Sequence, residues 1–407
     1  MKYLILIYFL IFEFCHLAHS QNILYEKEIL DHPDTAFSIF NAKASKLGGI
    51  YLMGNIHYKV NGEDERIARI NKFDSNGNLE WFLNLEEGTC YDLLEVDNDL
   101  LVLTDKHQES FYFPATSILK FNSQNQLIQK VVYPFPENGI DGFSPARLLA
   151  IPNGYLVMGR SSDAPPGDTT NQRSFLNFDN DLNFQWKKFA IGTGDNYLQE
   201  AIMFDSISKT LALSISSRAS GSFYENKTVL YNEYGDYIKK DISSFLIRSP
   251  YVIFNSLIWK GYFFQFFYNT LGSNTNQGPF WRMVTPSGEF HNEAFLPGAG
   301  KFLVSNGVNG NGMVFLKPQR DLPYATGAFE VYRLNNDEEI DVFIQDTFSI
   351  LKNYAHPQFF FQNDFDNAYY LISYDAQVGR IYYFKISNDI LSNTGEKKIA
   401  IKLDIFP

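Results

Sequence analysis

The sequence predicts an all-β fold, a β-propeller of seven four-stranded antiparallel blades. A strand–turn–strand pattern recurs along nearly the whole chain, and no segment shows a sustained 3.6-residue apolar period. Aromatic residues make up 16% of the 407 residues, and aromatic side chains favour strands. Four short strands in a repeat of about 40–50 residues are typical of a propeller blade.

Each repeat places an apolar strand before a turn rich in Asn, Asp and Gly, and a second strand after it. The first copy, residues 70–81, reads INKFDSNGNLEW. One apolar anchor residue precedes the turn in each copy, and successive anchors are 48 to 57 residues apart. This spacing makes the array one domain, although 407 residues would otherwise allow two or three. The seven anchors are Phe73, Phe121, Phe178, Tyr231, Val284, Leu334 and Ile386.

The third repeat shows how four strands fit into one unit. Residues 146–151 and 155–158 flank Asn153-Gly154, a pair that tolerates the positive φ of a tight hairpin turn. The third and fourth strands are predicted at residues 174–178 and 184–189. An isolated blade of this kind leaves both of its faces uncovered, so the repeats are expected to stack into a closed ring.

Closing the ring requires one more strand beside the seventh repeat. Residues 23–30 and residues 398–405 both have strand-like sequences and compete for this position. The sequence does not choose between them. An eighth blade formed by the two termini, or a sandwich of two sheets in place of a ring, are the alternatives for the architecture.

The first 20 residues predict a signal peptide. Lys2 precedes a short apolar run, and Ala18-His19-Ser20 precedes Gln21. A basic start, a short apolar segment and a small-x-small sequence are typical of a cleaved leader. We therefore expect residues 1–20 to be removed and residues 21–407 to form one secreted or periplasmic propeller with no integral membrane span. An uncleaved anchor is the alternative.

Charge and cysteine content narrow the class of protein further. The formal net charge of −12 argues against nucleic acid as a partner. Cys90 is the single cysteine after the leader, which excludes an internal disulfide and favours a bacterial export route. We predict that Cys90 is a buried apolar residue rather than a nucleophile, because the neighbouring Glu86 and Glu87 would raise its pKa.

The stretch from Lys72 to Trp81 resembles the repeats of secreted bacterial β-propeller proteins, those of Bacteroidetes in particular. It is similar, more distantly, to the repeats of quinoprotein-like propellers. The shared features are a strand, an Asp/Asn/Gly turn and an outer-strand tryptophan, which is present here as Trp81 and Trp186. The resemblance covers residues 37–386 and implies blades. It implies no cofactor, because the cofactor residues of the quinoprotein enzymes have no match here.

Long connections indicate where function is expected. In a four-stranded blade, the second-to-third and blade-to-blade connections share one face, and functional residues concentrate on loops held by a rigid scaffold. The long connections are predicted at residues 57–66, 105–115, 160–171, 217–225, 269–278 and 319–326. Ionisable residues just after the second strands are the candidate ligand-binding residues: His57, Asp105, His107, Arg160, Asp163, Arg218, Arg320 and Asp375.

Two interpretations of these eight residues stay open. They are either ordinary solvated loop residues or a polar pocket assembled from several blades. Imidazole and carboxylate groups suit a metal, but no tight ligand spacing is present, so we predict no metal and no cofactor. There is also no G-x-S-x-G sequence and no P-loop, so no catalytic residue is assigned.

Two further features are interpreted as structural. The turn at residues 74–78 faintly resembles a calcium loop, but it lacks the Gly and Glu of an EF-hand and recurs at a hairpin position, which indicates a plain turn. The aromatic runs at residues 263–268 and 359–361 fall in predicted strands, which favours packing between blades over sugar stacking.

The sequence therefore predicts a monomeric, non-catalytic propeller that binds a protein or a glycan through its long connections. The alternative is a hydrolase or lyase that acts on an extracellular saccharide at the mouth of the central channel.

Overall fold

Seven antiparallel sheets of four strands each form the fold, which confirms the predicted seven-bladed β-propeller. The structure is a computed structural model. It describes residues 23–30, 36–60, 63–85, 88–106, 115–133, 143–161, 172–190, 197–220, 223–240, 251–269, 279–296, 303–306, 312–318, 328–335, 337–338, 340–347, 356–375 and 380–387. Within these ranges, no helix has the length and apolar character needed to cross a membrane.

The strands follow one another blade by blade. After β1, blades 1 to 6 each consist of four consecutive strands. In chain order they are β1 (Ile23–Leu30); β2 (Ala36–Ala44), β3 (Ile50–Val60), β4 (Glu63–Phe73) and β5 (Leu79–Leu85) in blade 1; β6 (Cys90–Val96), β7 (Asp99–Lys106), β8 (Ala115–Phe121) and β9 (Leu127–Val132) in blade 2; β10 (Phe143–Ile151), β11 (Gly154–Ser161), β12 (Gln172–Phe178) and β13 (Phe184–Phe189) in blade 3; β14 (Tyr197–Asp205), β15 (Thr210–Ser220), β16 (Phe223–Asn232) and β17 (Tyr237–Lys240) in blade 4; β18 (Tyr251–Trp259), β19 (Tyr262–Asn269), β20 (Phe280–Val284) and β21 (Phe290–Phe295) in blade 5; β22 (Leu303–Asn306), β23 (Met313–Pro318), β24 (Ala328–Leu334) and β25 (Ile340–Thr347) in blade 6; and β26 (His356–Asn363), β27 (Ala368–Asp375) and β28 (Arg380–Ser387) in blade 7.

Strand β1 closes the ring. It pairs antiparallel with β28 and becomes the outermost strand of blade 7, with Lys27 opposite Tyr383. Of the two segments that competed for this position, the structure therefore places residues 23–30 there, while residues 398–405 lie outside the described residues. Blade 7 combines the first and the last described strands, so its backbone hydrogen bonds hold the ring shut.

The apolar core lies in layers between neighbouring blades. Tyr51 and Met53 of blade 1 pack with Leu100 and Val102 of blade 2 in one such layer. Similar layers lie between blades 2 and 3, 3 and 4, 4 and 5, 5 and 6, and 7 and 1. The seven anchor residues are all buried: Phe73, Phe121, Phe178, Tyr231, Val284, Leu334 and Ile386.

The recurring Asn/Asp/Gly turn joins the third and fourth strands. In blade 1, Asp74 Oδ1 accepts hydrogen bonds from the backbone N–H groups of Asn76 and Asn78, each 2.8 Å long. Gly77 follows with a φ of +71°, which a glycine adopts without strain. Asn122, Asp179 and Asn232 cap their turns in the same way. The repeat signal therefore records turn chemistry, as interpreted from the sequence.

The first aromatic run packs between blades, as predicted. Phe263, Phe264, Phe266 and Phe267 on β19 are buried. The ring of Phe264 packs against Phe315 of blade 6, with ring centroids 6.0 Å apart. In the second run, on β26, Phe360 is buried and its two Phe neighbours are half-buried.

Polar side chains brace the inner strands, which are the unpaired edges of the sheets. Asp92 on β6 is 1% exposed, and its Oδ1 lies 2.6 Å from Lys43 Nζ of blade 1. Its Oδ2 accepts a hydrogen bond from the Leu148 N–H of blade 3 at 2.9 Å. Asn41 Nδ2 donates to the Tyr91 carbonyl at 3.2 Å. One carboxylate therefore joins three blades and satisfies an edge N–H that would otherwise lack a partner.

Substituting two turn glycines should separate backbone strain from steric clash. Gly49 and Gly261 have φ values of +71° and +77°. A Cβ on Gly49 would lie 2.0 Å from the Phe73 carbonyl oxygen, whereas a Cβ on Gly261 would meet no atom within 4 Å. Gly261→Ala should lower the free energy of unfolding by about 1–2 kcal/mol through its φ alone. Gly49→Ala should cost clearly more in urea denaturation, and equal losses would contradict the close approach at Phe73.

Candidate functional site

Two of the predicted long connections are strands instead. Strands β3 and β4 pair as far as Val60 and Glu63, so residues 57–66 are mostly a hairpin. Strands β15 and β16 likewise pair as far as Ser220 and Phe223, which corrects the prediction for residues 217–225. Polar side chains do not interrupt backbone pairing, so the polar sequence of these segments did not exclude strands.

Most of the other predicted long connections lie outside the described residues. These connections run through residues 107–114, 162–171, 270–278 and 319–327. Three of the eight candidate residues, His107, Asp163 and Arg320, fall within them. We use the name long-loop face for the side of the ring where the second-to-third and blade-to-blade connections leave. The opposite side, which carries the first-to-second and third-to-fourth turns, is the turn face.

The five remaining candidates lie at the long-loop ends of the second strands of five blades. His57 is on β3, Asp105 on β7 and Arg160 on β11. Arg218 pairs in register with Tyr224, and Asp375 pairs with Arg380. The ring thus places all five at one face, each on a different blade.

Asp105 is engaged by its own chain. Its side chain is buried, Oδ1 accepts a hydrogen bond from the Thr89 N–H at 2.5 Å, and Oδ2 accepts one from the Tyr91 hydroxyl at 2.9 Å. The backbone N–H of Asp105 also donates to the Thr89 carbonyl at 3.3 Å. These bonds fix the connection that leads from blade 1 into β6. The carboxylate therefore has a structural task that the sequence did not reveal.

His57 contacts a serine that the sequence analysis did not single out. Ser38 Oγ on β2 lies 3.1 Å from His57 Nε2, and both side chains are half-buried. A neutral imidazole can accept the hydroxyl proton at this distance, which is the geometry of a serine paired with a general base. The hairpin register could have pointed to Ser38. Ala36 lies opposite His57, so Ser38, two residues further along β2, is the diagonal neighbour of His57.

Arg160 projects into solvent on the same face. Its side chain is exposed, and its register partner on β12 is Arg173, which is 1% exposed. Among the residues described, no three His, Cys, Asp or Glu side chains form a group suited to a metal ion. Arg160 is therefore the candidate that most plainly offers a charge to a ligand.

Cys90 is buried, as predicted, and carries a free thiol. Burial raises the pKa of this thiol, and the nearby charge of Asp92 raises it further. The predicted cause was Glu86 and Glu87, which lie outside the described residues. A thiol held protonated in this way is a poor nucleophile.

A second site, which sequence reasoning missed, lies on the turn face between blades 3 and 4. It is a cavity of about 340 Å³. Trp186 lines this cavity. From the sequence it was interpreted only as an outer-strand residue of the repeat. The signal that could have found the site is Tyr234, an exposed aromatic residue in the turn of the next repeat. The lining residues are Ile151, Asn153, Asn177, Asp179, Gln185, Trp186, Glu233 and Tyr234.

The fold and its strand order define the class of this protein as a seven-bladed β-propeller. No protein-family model matches the chain, and no curated protein matches it in sequence. An acylaminoacyl peptidase solved in complex with Z-Gly-Gly-Phe-chloromethyl ketone is similar in structure, with 7% identity and a TM-score of 0.51 over 86% of this chain and 51% of that chain.

Two other solved structures are similar over most of their length. The β-propeller domain of the Trilobed protease from Pyrococcus furiosus has 7% identity and a TM-score of 0.48, covering 86% of this chain and 93% of that chain. An uncharacterized protein from Listeria monocytogenes EGD-e has 10% identity and a TM-score of 0.45, covering 87% and 97%. At these identities the likeness concerns the fold alone.

Substitution of Asp105 and Arg160 should separate a structural carboxylate from an available cation. Asp105→Ala removes the buried carboxylate that accepts from the half-buried Tyr91 hydroxyl and the Thr89 N–H, so the free energy of unfolding should fall by about 2–3 kcal/mol. Arg160→Ala removes an exposed side chain and should change it by less than about 0.5 kcal/mol. Chemical denaturation measures both, and comparable losses would contradict these assignments.

Proposed function

We propose that this protein is an exported β-propeller of bacterial, Bacteroidetes-type origin that acts as a non-catalytic scaffold. In this proposal it holds an extracellular protein or glycan on its long-loop face. The observation that carries the proposal is the unequal use of the two faces. The turn face is occupied by tight, hydrogen-bonded turns, whereas the long connections and all five described candidate residues belong to the other face.

The turn face is largely committed to holding the blades together. Gln129 Nε2 of blade 2 donates to the Asp181 carbonyl of blade 3 at 2.7 Å. Lys188 Nζ of blade 3 donates to the Tyr234 carbonyl of blade 4 at 2.8 Å. Lys239 Nζ of blade 4 donates to the Gly288 carbonyl of blade 5 at 3.1 Å. A ring braced in this way is a rigid support for loops on its opposite side.

The chemistry of Asp105, Arg160 and Cys90 favours binding over catalysis. Asp105 is satisfied by hydrogen bonds within the fold, and the thiol of Cys90 is buried. Arg160 is exposed and presents a planar donor that suits carboxylate, phosphate or sugar oxygens. A secreted or periplasmic location rests on the leader-like pattern of residues 1–20.

Charge reversal on the two faces should test the scaffold. The full chain is expressed in a bacterial host, and the exported protein should begin at Gln21 by mass spectrometry. Immobilised protein is then exposed to the extracellular fraction of the source organism, and a recovered partner is purified for titration. Arg160→Glu should weaken its binding about tenfold or more. Lys260→Glu changes an exposed cation on the turn face and should leave the affinity unchanged.

Three results would contradict the proposal. They are retention of the leader on protein that stays inside the cell, equal weakening by both charge reversals, and chemical conversion of the bound partner.

The Ser38–His57 contact favours a second function, a hydrolase at the long-loop face. A serine activated by histidine should react with a fluorophosphonate probe, and Ser38→Ala should abolish the labelling. Ser144 is the matched control, because it lies opposite Arg160 in blade 3 as Ser38 lies opposite Asn55 in blade 1. Labelling of the parent protein and of Ser144→Ala, but not of Ser38→Ala, would establish the hydrolase. Absence of labelling from all three supports the scaffold.

A further inference from the structure

The cavity between blades 3 and 4 has the size and lining of a small-molecule site. Its volume of about 340 Å³ falls at the lower end of the usual range for such sites, roughly 300–1,000 Å³. Its walls come from the Asn153 turn, from β12 and β13, and from the next blade's turn at Glu233 and Tyr234. It lies on the turn face, so it is separate from the scaffold function proposed above.

Glu233 supplies the observation that points to a ligand. Its side chain is 9% exposed, and Lys209 Nζ lies 3.4 Å from Oε1. The other oxygen, Oε2, is buried and accepts no hydrogen bond from the residues that the structure describes. A buried carboxylate oxygen without a donor is costly, and such atoms are rare in folded proteins. A hydroxyl group of a bound ligand would satisfy it.

Two aromatic residues give the cavity an apolar surface. Tyr234 is 54% exposed, although its carbonyl is held by Lys188. Trp186 is half-buried, and its indole packs closely against Gly235 of the neighbouring blade. The approach is so close that a Cβ on Gly235 would lie 2.7 Å from Cη2 of the indole. Both rings therefore offer an apolar surface to a ligand at a place that solvent reaches.

Polar side chains of blade 3 line the rest of the cavity in fixed orientations. Gln185 Nε2 donates to Asp179 Oδ2 at 2.9 Å and to the Asn183 carbonyl at 3.2 Å, which turns the amide so that its donor faces the turn. Asn177 Nδ2 lies 3.5 Å from the Tyr155 carbonyl. The hydrogen bond from the Asn183 N–H is the largest cause that lowers the pKa of Asp179, so this carboxylate stays ionised. The wall is rich in amide and carboxylate oxygens, which accept hydrogen bonds from hydroxyl groups.

We propose that this cavity binds a neutral sugar unit, with Tyr234 and Trp186 against the ring and Glu233 Oε2 accepting a sugar hydroxyl. The carboxylates of Asp179 and Glu233 oppose an anionic ligand. Lys209 beside Glu233, and Lys188 with Nζ 5.0 Å from the Trp186 ring centroid, oppose a quaternary ammonium group. A neutral polyol matches the mixture of acceptors, amides and rings better than either charged class.

Saturation-transfer NMR on the full chain tests this site with defined probes. The probes are methyl β-D-glucopyranoside, methyl β-D-galactopyranoside and methyl α-D-mannopyranoside, with tetramethylammonium and acetate as the charged alternatives. We expect at least one glycoside to bind. Glu233→Gln should weaken that binding about tenfold, as the loss of a hydrogen bond to a charged group would. Tyr234→Ala should weaken it similarly, because the exposed ring can be removed without disturbing the core.

Matched variants control for general effects on the surface. Glu289→Gln changes an exposed carboxylate in the equivalent turn of blade 5, and Tyr237→Ala removes a ring that is 43% exposed on β17. Both should bind the glycoside as the parent protein does. Failure of all three glycosides, binding of tetramethylammonium or acetate in their place, or unchanged glycoside binding in Glu233→Gln and Tyr234→Ala would overturn the proposal. None of these results bears on the long-loop face, whose tests use Arg160 and Lys260.

Discussion

Burial between neighbouring blades is the constraint on which the rest of the structure depends. A four-stranded sheet with two apolar faces cannot cover either face by itself. The apolar side chains of each blade are therefore buried against the blades beside it. The layer formed by Met53 and Val102 is one example. The arrangement becomes self-sufficient when the last blade meets the first, and the pairing of β1 with β28 holds it there.

The same constraint explains why many polar residues that resemble functional groups have structural tasks. The inner strands are sheet edges, and their free backbone groups need partners from adjacent blades. Asp92 provides such a partner to Leu148 of the next blade, and Asp105 instead fixes the connection that leads into its own blade. A charged residue in a propeller is therefore informative about ligands when it is exposed, as Arg160 is, or buried with an unsatisfied atom, as Glu233 is.

The two faces of the ring offer different kinds of recognition. The five described candidate residues at the long-loop face lie on five different blades, which suits the macromolecular partner proposed above. The cavity at Trp186 is small and is enclosed by a single junction between two blades, which suits one sugar unit. If both proposals hold, the protein joins a carbohydrate on one side to a larger partner on the other.

The sequence by itself determined the repeat and the turn chemistry, because these depend on residues close together in the chain, and it predicted seven blades with an eighth left open. Asp74 caps its own turn, and Phe73 marks the strand before it, so a local pattern was enough. Which terminal strand closes the ring, the extended hairpin near His57, the task of Asp105 and the cavity at Glu233 were decided only by the tertiary structure. Each depends on pairing between distant segments or on atoms from adjacent blades, and no local pattern encodes those distances.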